Sequence, residues 1–469
     1  MKQQFVLNGL LLIAMLFSLP GYSQNSTQNE SLKPNILLIN IDDMGWRDVG
    51  FMGSEYYETP NIDKLAKGGV IFTNAYAAAS NCAPSRACLM SGQWPQRNGI
   101  YTVANSDRGK SRDRKIIPVK NNEYMPADNI LIPQVLKKAG YTTCHAGKWH
   151  LSDTPLSFGF DVNIGGCHAG NPGSYYPPYK QVPLEAPTED YYLTNLIMDK
   201  TIEFLKTTGN KPFFMYYSPY AVHAPLQPVK SLLPKYKNKA EWNGQKNAKY
   251  ATMVENLDTQ IGRMIRYLKE SGKLNNTFIL FISDNGGVYR FTKQWPLRAG
   301  KGSYYEGGIR EPMFINWPGK IAGGAKIDVP VTNLDIYPTL LNVAGVNVPD
   351  GKIIDGRSVL PIIKGARIAP RPLFWHFPIY LEGGNIETQD VKFRTRPGSA
   401  IRLGNWKLIQ YFENNDIELY DLSNDIGEKN NLAKTNREMA KKLVGMLEKW
   451  RENTNAPVPS ELNPNYVAN

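Results

Sequence analysis

The sequence predicts an α/β fold: a mixed, mostly parallel sheet flanked by helices, followed by a smaller C-terminal α+β region with an antiparallel sheet. Three observations lead there. Residues 35–41 and 278–282 are continuous or nearly continuous apolar runs, as expected of strands buried on both faces of a parallel sheet. Helical patterns lie between such runs, at 131–139 and at 252–270, where Met253, Leu257, Ile261, Met264 and Leu268 keep helical spacing. After a break near Pro361 to Pro372 the chain turns to short strands around 400–403, 406–409 and 418–422, then a helix at about 435–452.

A length of 469 residues exceeds what one hydrophobic core usually holds. Two folded domains are therefore expected, residues 34–365 and 370–469, behind a leader at 1–23. The leader has Lys2, an apolar run from Phe5 to Leu19, and small residues at Gly21 and Ser23. That is the pattern of a secretory signal cleaved after Ser23, and the run is too short to anchor the chain stably in a membrane. The protein is thus expected outside the cytoplasm, periplasmic or secreted.

The formal net charge of +12 fits attraction to polyanions. No basic run carries interleaved aromatics, so a nucleic-acid partner is not expected. An acidic polysaccharide is compatible with this balance. Four cysteines are few for a disulfide scaffold, and the absence of a CxxC pair argues against thiolate zinc.

The first strand runs into Asp42-Asp43, and the later one into Ser283-Asp284-Asn285-Gly286-Gly287. Carboxylates at the ends of buried strands are costly unless paired, and that edge of an α/β sheet is where ligands bind. Asp42, Asp43, Asp284 and Asn285 form an all-oxygen set, suited to a hard cation such as calcium. Lys148 and His150 follow another strand; read as extended chain, their alternate spacing puts both on one side. His223 lies just past Tyr216-Tyr217-Ser218-Pro219, and Lys301 sits in Arg298-Ala299-Gly300-Lys301-Gly302-Ser303. A glycine-, proline- and tyrosine-rich stretch from Gly159 to Tyr179 reads as a loop over the site, of the kind that sets specificity.

Cys82-Ala83-Pro84-Ser85-Arg86 precedes Leu89 and Ser91-Gly92. Pro84 suits a first helical turn, which places Cys82 at the positive end of a helix dipole. This stretch resembles the formylglycine signature of the type I sulfatases, which more often carry Thr-Gly where Ser91-Gly92 stands. The other clusters match that family in the same order over most of residues 34–345. The resemblance implies an alkaline-phosphatase-like fold and a sulfuric ester hydrolase of the arylsulfatase-like, bacterial carbohydrate-degrading kind. It implies that a maturation enzyme oxidises Cys82 to formylglycine (3-oxoalanine), and that one calcium ion is held by Asp42, Asp43, residue 82, Asp284 and Asn285.

By the same resemblance, Arg86, Lys148 and Lys301 surround the sulfate and the hydrated aldehyde attacks sulfur. His223 or Lys301 protonates the leaving alcohol, and His150 assists sulfate elimination. Sulfated galactose or N-acetylgalactosamine is the expected substrate unit, with His168, His376 and Arg396 as candidate sugar contacts. For His376 a structural place in an aromatic cluster is the equal alternative. Two other functions stay open at this point: a phosphate mono- or diester hydrolase of the same superfamily, and a non-catalytic sulfated-glycan binder.

Overall fold

The computed structural model describes Met1 and residues 33–388 and 390–468. The expected leader, residues 1–23, lies outside the described residues apart from Met1. Among the described residues no helix is long and apolar enough to cross a membrane.

Among the described residues nine strands form the large sheet: β1 (Asn35–Ile41), β2 (Val70–Tyr76), β3 (Thr142–Gly147), β4 (Val162–Ile164), β5 (Phe213–Ser218), β6 (Thr277–Ser283), β7 (Arg310–Asn316), β8 (Ala325–Ile327) and β9 (Val331–Thr332). Their order is β4-β3-β5-β1-β6-β7-β2-β8, with β9 also paired to β2. From β4 to β6 every pairing is parallel, whereas β7 runs antiparallel to both β6 and β2. The mixed, mostly parallel sheet expected from the apolar runs is therefore present.

Alternation along β1 divides the core. Leu37, Ile39 and Ile41 face one layer, which includes helices α4 (Leu193–Thr207) and α5 (Ala248–Glu270). Ile36 and Leu38 face the other, which includes α2 (Cys82–Ser91), α3 (Ile132–Lys138) and α6 (Ile336–Ala344). Helix α1 (Pro60–Lys67) packs with the first layer through Ile62 and Leu65. Burial on both faces removes the polar alternation that a half-exposed strand would show.

The second sheet has the order β10-β13-β14-β15, formed by Leu373–Phe377, Gly398–Leu403, Trp406–Tyr411 and Ile417–Asp421. All its pairings are antiparallel. A two-stranded ribbon, β11 (Leu381–Glu382) and β12 (Phe393–Thr395), interrupts it in sequence. Helix α7 (Arg437–Thr454) covers one face, with Leu443, Leu447 and Trp450 against Ile401, Leu408 and Leu419. The other face places Trp375, Ala400, Ile409 and Tyr420 against Tyr76, Tyr304, Tyr305 and Ile309 of the larger part. Residues 33–469 gather into one compact unit.

Two local features depart from the sequence reading. Trp375-His376-Phe377 is part of strand β10 rather than a junction, with His376 opposite Ser399. The stretch after β3 is not extended, because His150 has φ of 66°, in the left-handed region that side chains seldom occupy. Lys148 and His150 share a neighbourhood through this turn, not through strand alternation.

Candidate active site

The carboxyl ends of β3, β5, β1 and β6 lie side by side, and each supplies polar side chains to one buried cluster. Asp42 and Asp43 follow β1, Lys148 and His150 follow β3, His223 follows β5, and Asp284 and Asn285 follow β6. Helix α2 adds Cys82 and Arg86 from one side. Asn81 precedes this helix in extended conformation, and Pro84 stands in its first turn, where it costs no hydrogen bond. Asn333 fixes α2 by donating to Ser85 O (3.1 Å) and Ser85 Oγ (2.9 Å), while accepting from Ala78 N (3.0 Å).

Cys82 begins α2 and is buried. Lys301 Nζ lies 2.9 Å from its Sγ and 2.5 Å from Asp43 Oδ1. Burial raises the thiol pKa, but Lys148 and then Lys301 outweigh it and bring the value down to about 6. The residue therefore stands where negative charge is stabilised. Lys148, fully buried, donates to both oxygens of Asp42 at 2.8 and 2.9 Å.

Arg86 is committed more deeply than its motif suggested. Nε donates to Asp284 Oδ2 (2.9 Å), Nη1 to Lys148 O (2.9 Å) and Ser218 Oγ (2.5 Å), and Nη2 lies against Asp284 and Asp42. It thereby clamps the ends of four strands, β1, β3, β5 and β6, while Nη2 is ion-paired without a hydrogen-bond partner among the described residues. His145, missed in the sequence, reinforces the clamp: its Nε2 lies 3.2 Å from the same Lys148 O. Burial pushes the His145 pKa down to about 3, so this ring is neutral.

His150 and His223 are in opposite electrostatic settings. His150 is buried, and burial together with Lys148 and Arg86 holds its pKa well below the usual value. Its Nδ1 has no hydrogen-bond partner among the described residues. His223 is partly exposed, with Nε2 3.5 Å from Asp43 Oδ2 and Nδ1 2.7 Å from Ala224 O. Burial lowers its pKa, yet Asp43 and Asp42 prevail and raise it. The surroundings thus bias His150 toward its neutral form and His223 toward its protonated form. Tyr175, also missed, holds the turn before His223 by donating to Tyr220 O (2.6 Å) and His223 O (2.9 Å).

Asp42, Asp43, Cys82 and His223 present ligand atoms within 4.8 Å of one another, a group that could hold a metal ion. Asp284 joins by accepting from Asp43 N (3.1 Å), and Asn285 by donating Nδ2 to Asp43 Oδ1 (2.9 Å). Asn285 Oδ1 is buried without a partner among the described residues. Fully buried carboxylates with an orphaned amide oxygen are a donor set that fits a hard cation. Burial, with Asp42 and Asp43 adding to it against Arg86, pushes the Asp284 pKa up to about 6. Lys301, His223 and Lys148 overcome burial at Asp43 and hold it below the usual carboxylate range.

The sugar-contact candidates divide. His168 stays beside the site, its ring 5.9 Å from that of His150 and stacked on Tyr124 at 4.2 Å. His376 does not reach it. Its ring is buried between Ser399 Oγ (2.8 Å) and Pro457 O (2.9 Å), so both nitrogens are spent on the C-terminal part. Arg396 is likewise committed, to Asp390 and Glu413 at 2.6 Å each. No disulfide joins Cys82, Cys88, Cys144 and Cys167.

The Sulfatase family profile matches residues 34–346. The chain belongs to the sulfatase family. A second profile, the C-terminal part of N-sulphoglucosamine sulphohydrolase, matches residues 300–453. This sulfatase is 32% identical to a sulfatase of Formosa agariphila, over 97% of its own length and 94% of the relative's. It is 33% identical to human N-acetylgalactosamine-6-sulfatase over 73% of this chain and 68% of the human one. The crystal structure of Ps i-CgsB in complex with k-i-k-neocarrahexaose superposes with a TM-score of 0.75 at 32% identity, covering 92% of this chain and 95% of that one. The alkaline-phosphatase-like fold and the sulfuric ester hydrolase class follow from these matches together with the sheet order.

Proposed function

We propose that this sulfatase is exported and hydrolyses sulfate esters of carbohydrates, with formylglycine at position 82 and one calcium ion. The observation that carries the reading is Cys82 at the start of α2, beside Lys301 and among Asp42, Asp43 and His223. The human relative named for N-acetylgalactosamine-6-sulfate and the neocarrahexaose complex of Ps i-CgsB support a sulfated sugar, with galactose or N-acetylgalactosamine units foremost.

Asp42, Asp43, Asp284, Asn285 and residue 82 would hold the calcium. Once present, formylglycine supplies a hydrated aldehyde as nucleophile with a second hydroxyl for expelling sulfate, and calcium supplies charge stabilisation. The chain's own side chains do the rest. Lys148 and Lys301 bring two ammonium groups to the place where the sulfuryl oxygens bind, already oriented by Asp42 and Asp43. His223, favoured in its protonated form, donates from Nε2 to the leaving alcohol oxygen. His150, held neutral, accepts the proton released when sulfate departs. Arg86 keeps Asp284, Ser218 and the Lys148 backbone in register.

Protein produced with the maturation enzyme is expected to release inorganic sulfate from sulfated galactose or N-acetylgalactosamine. Chelation should abolish the release, and added calcium should restore it. Asn285→Ala should raise the calcium concentration needed for half-restoration by tenfold or more, because it removes the amide oxygen from the set. Faster release of phosphate from the matching phosphorylated sugars would favour the phosphate-ester hydrolase reading instead.

A further inference from the structure

We propose that Arg394 of β12 binds a second anionic group of the substrate, so that this sulfatase prefers saccharides carrying another charge beside the sulfate that is cleaved. The inference rests on the carbohydrate reading above and narrows its substrate class.

Arg394 is half-buried and runs along the loop that carries Lys301. A Cβ built on Gly302 would stand 2.9 Å from Arg394 Cδ and 2.5 Å from Leu381 Cδ2. Gly302 has φ of 89°, so the lack of a side chain serves both the turn and the close passage of the arginine. One residue earlier, Lys301 touches Asp43 and Cys82. Arg394 thus lies one layer outward from the reacting centre.

Its guanidinium is less committed than those of Arg108, Arg298 and Arg396 nearby. Arg108 is bound to both oxygens of Glu382, Arg298 to Glu387 O and Glu428 O, and Arg396 to Asp390 and Glu413. Arg394 makes a single long hydrogen bond, Nε to Gly383 O at 3.3 Å. Neither terminal nitrogen has a partner among the described residues. Asp43 and Glu382 attract its charge, while Arg290 and Arg108 oppose it, and burial favours the neutral form. Glu382 is already engaged by Arg108, so little negative charge remains for Arg394.

On its other side Arg394 lines a cleft of about 660 Å³ with the cations Lys115, Arg396 and Lys434 and the acids Asp390, Glu413, Asp416 and Glu418. A planar, half-desolvated guanidinium with free forked donors matches a sulfate or carboxylate better than a neutral hydroxyl. The reacting sulfate belongs to Lys148 and Lys301, so the anion met by Arg394 is a different one.

The test uses the Cys82→Ala protein, which binds without turnover, and three disaccharides of equal length. One carries a single sulfate, one carries two, and one carries a sulfate and a uronate. Titration calorimetry should show at least one doubly charged probe binding roughly tenfold tighter than the singly charged one. Arg394→Ala should erase that preference and Arg394→Lys should keep part of it. The tighter of the two doubly charged probes then says whether the second group is sulfate or carboxylate. Equal binding of all three probes, or a preference that survives in Arg394→Ala, would overturn the role of Arg394 while leaving the carbohydrate reading intact. No binding of any probe would overturn both.

Discussion

Replacing Cys82 by alanine is expected to lower kcat/KM for sulfate ester hydrolysis by at least about a thousandfold while leaving the protein folded. Alanine cannot be oxidised to an aldehyde, so the nucleophile is lost entirely rather than weakened. The fold should tolerate the change for local reasons. Position 82 begins α2, where alanine is a good helix former, and the side chain removed is small. Lys301 keeps its contact with Asp43 at 2.5 Å, so its ammonium retains a partner. Loss of activity with an unchanged unfolding midpoint separates chemistry from stability. Activity within tenfold of the parent would mean that residue 82 is not the nucleophile.

The largest stability effect is expected far from Cys82, where the small sheet meets the larger part. Lys407 Nζ lies 3.0 Å from Glu306 Oε1 and 2.8 Å from Glu428 Oε1, and all three side chains have no exposed surface. Burial opposes ionisation of Glu306, yet Lys407, Arg310 and Arg402 hold it well below the usual carboxylate range. Burial pushes Glu428 the other way, up to about 7, with Lys407 opposing and Glu306 adding to the rise. Lys407→Met preserves the stem and removes the charge, leaving two buried acids with one fewer cation. Breaking a buried ionic group in this way costs about 3–5 kcal/mol. Denaturant unfolding of the two proteins measures it, and a loss below about 1 kcal/mol would show that Arg310 and Arg402 already neutralise the cluster.

Much of this arrangement was legible in the sequence because two apolar runs end in Asp42-Asp43 and in Asp284-Asn285. A strand buried on both faces that stops at charged residues marks the working edge of an α/β sheet. What could not be read was the pairing of long side chains across the fold. Arg86 looked like a free donor, but its partners Ser218 and Asp284 lie 132 and 198 residues away. His376 looked able to reach the pocket until Pro457 O, 81 residues on, took up its second nitrogen. Arg396 and Arg394 sit two positions apart with nothing local to tell them apart. Only the ion pairs to Asp390 and Glu413 show that the first is committed. Tyr175 and His145 act by positioning backbone carbonyls, which leaves no signature in residue type or spacing.

The proposed chemistry depends on one covalent change, so the most direct measurement is the mass of the peptide spanning residues 82–86. The protein should be exported by a host that possesses the maturation enzyme, and activity should be measured on the same preparation. The account predicts that the cysteine thiol is replaced by an aldehyde, in a fraction that rises and falls with specific activity. An unmodified cysteine in fully active protein would contradict it.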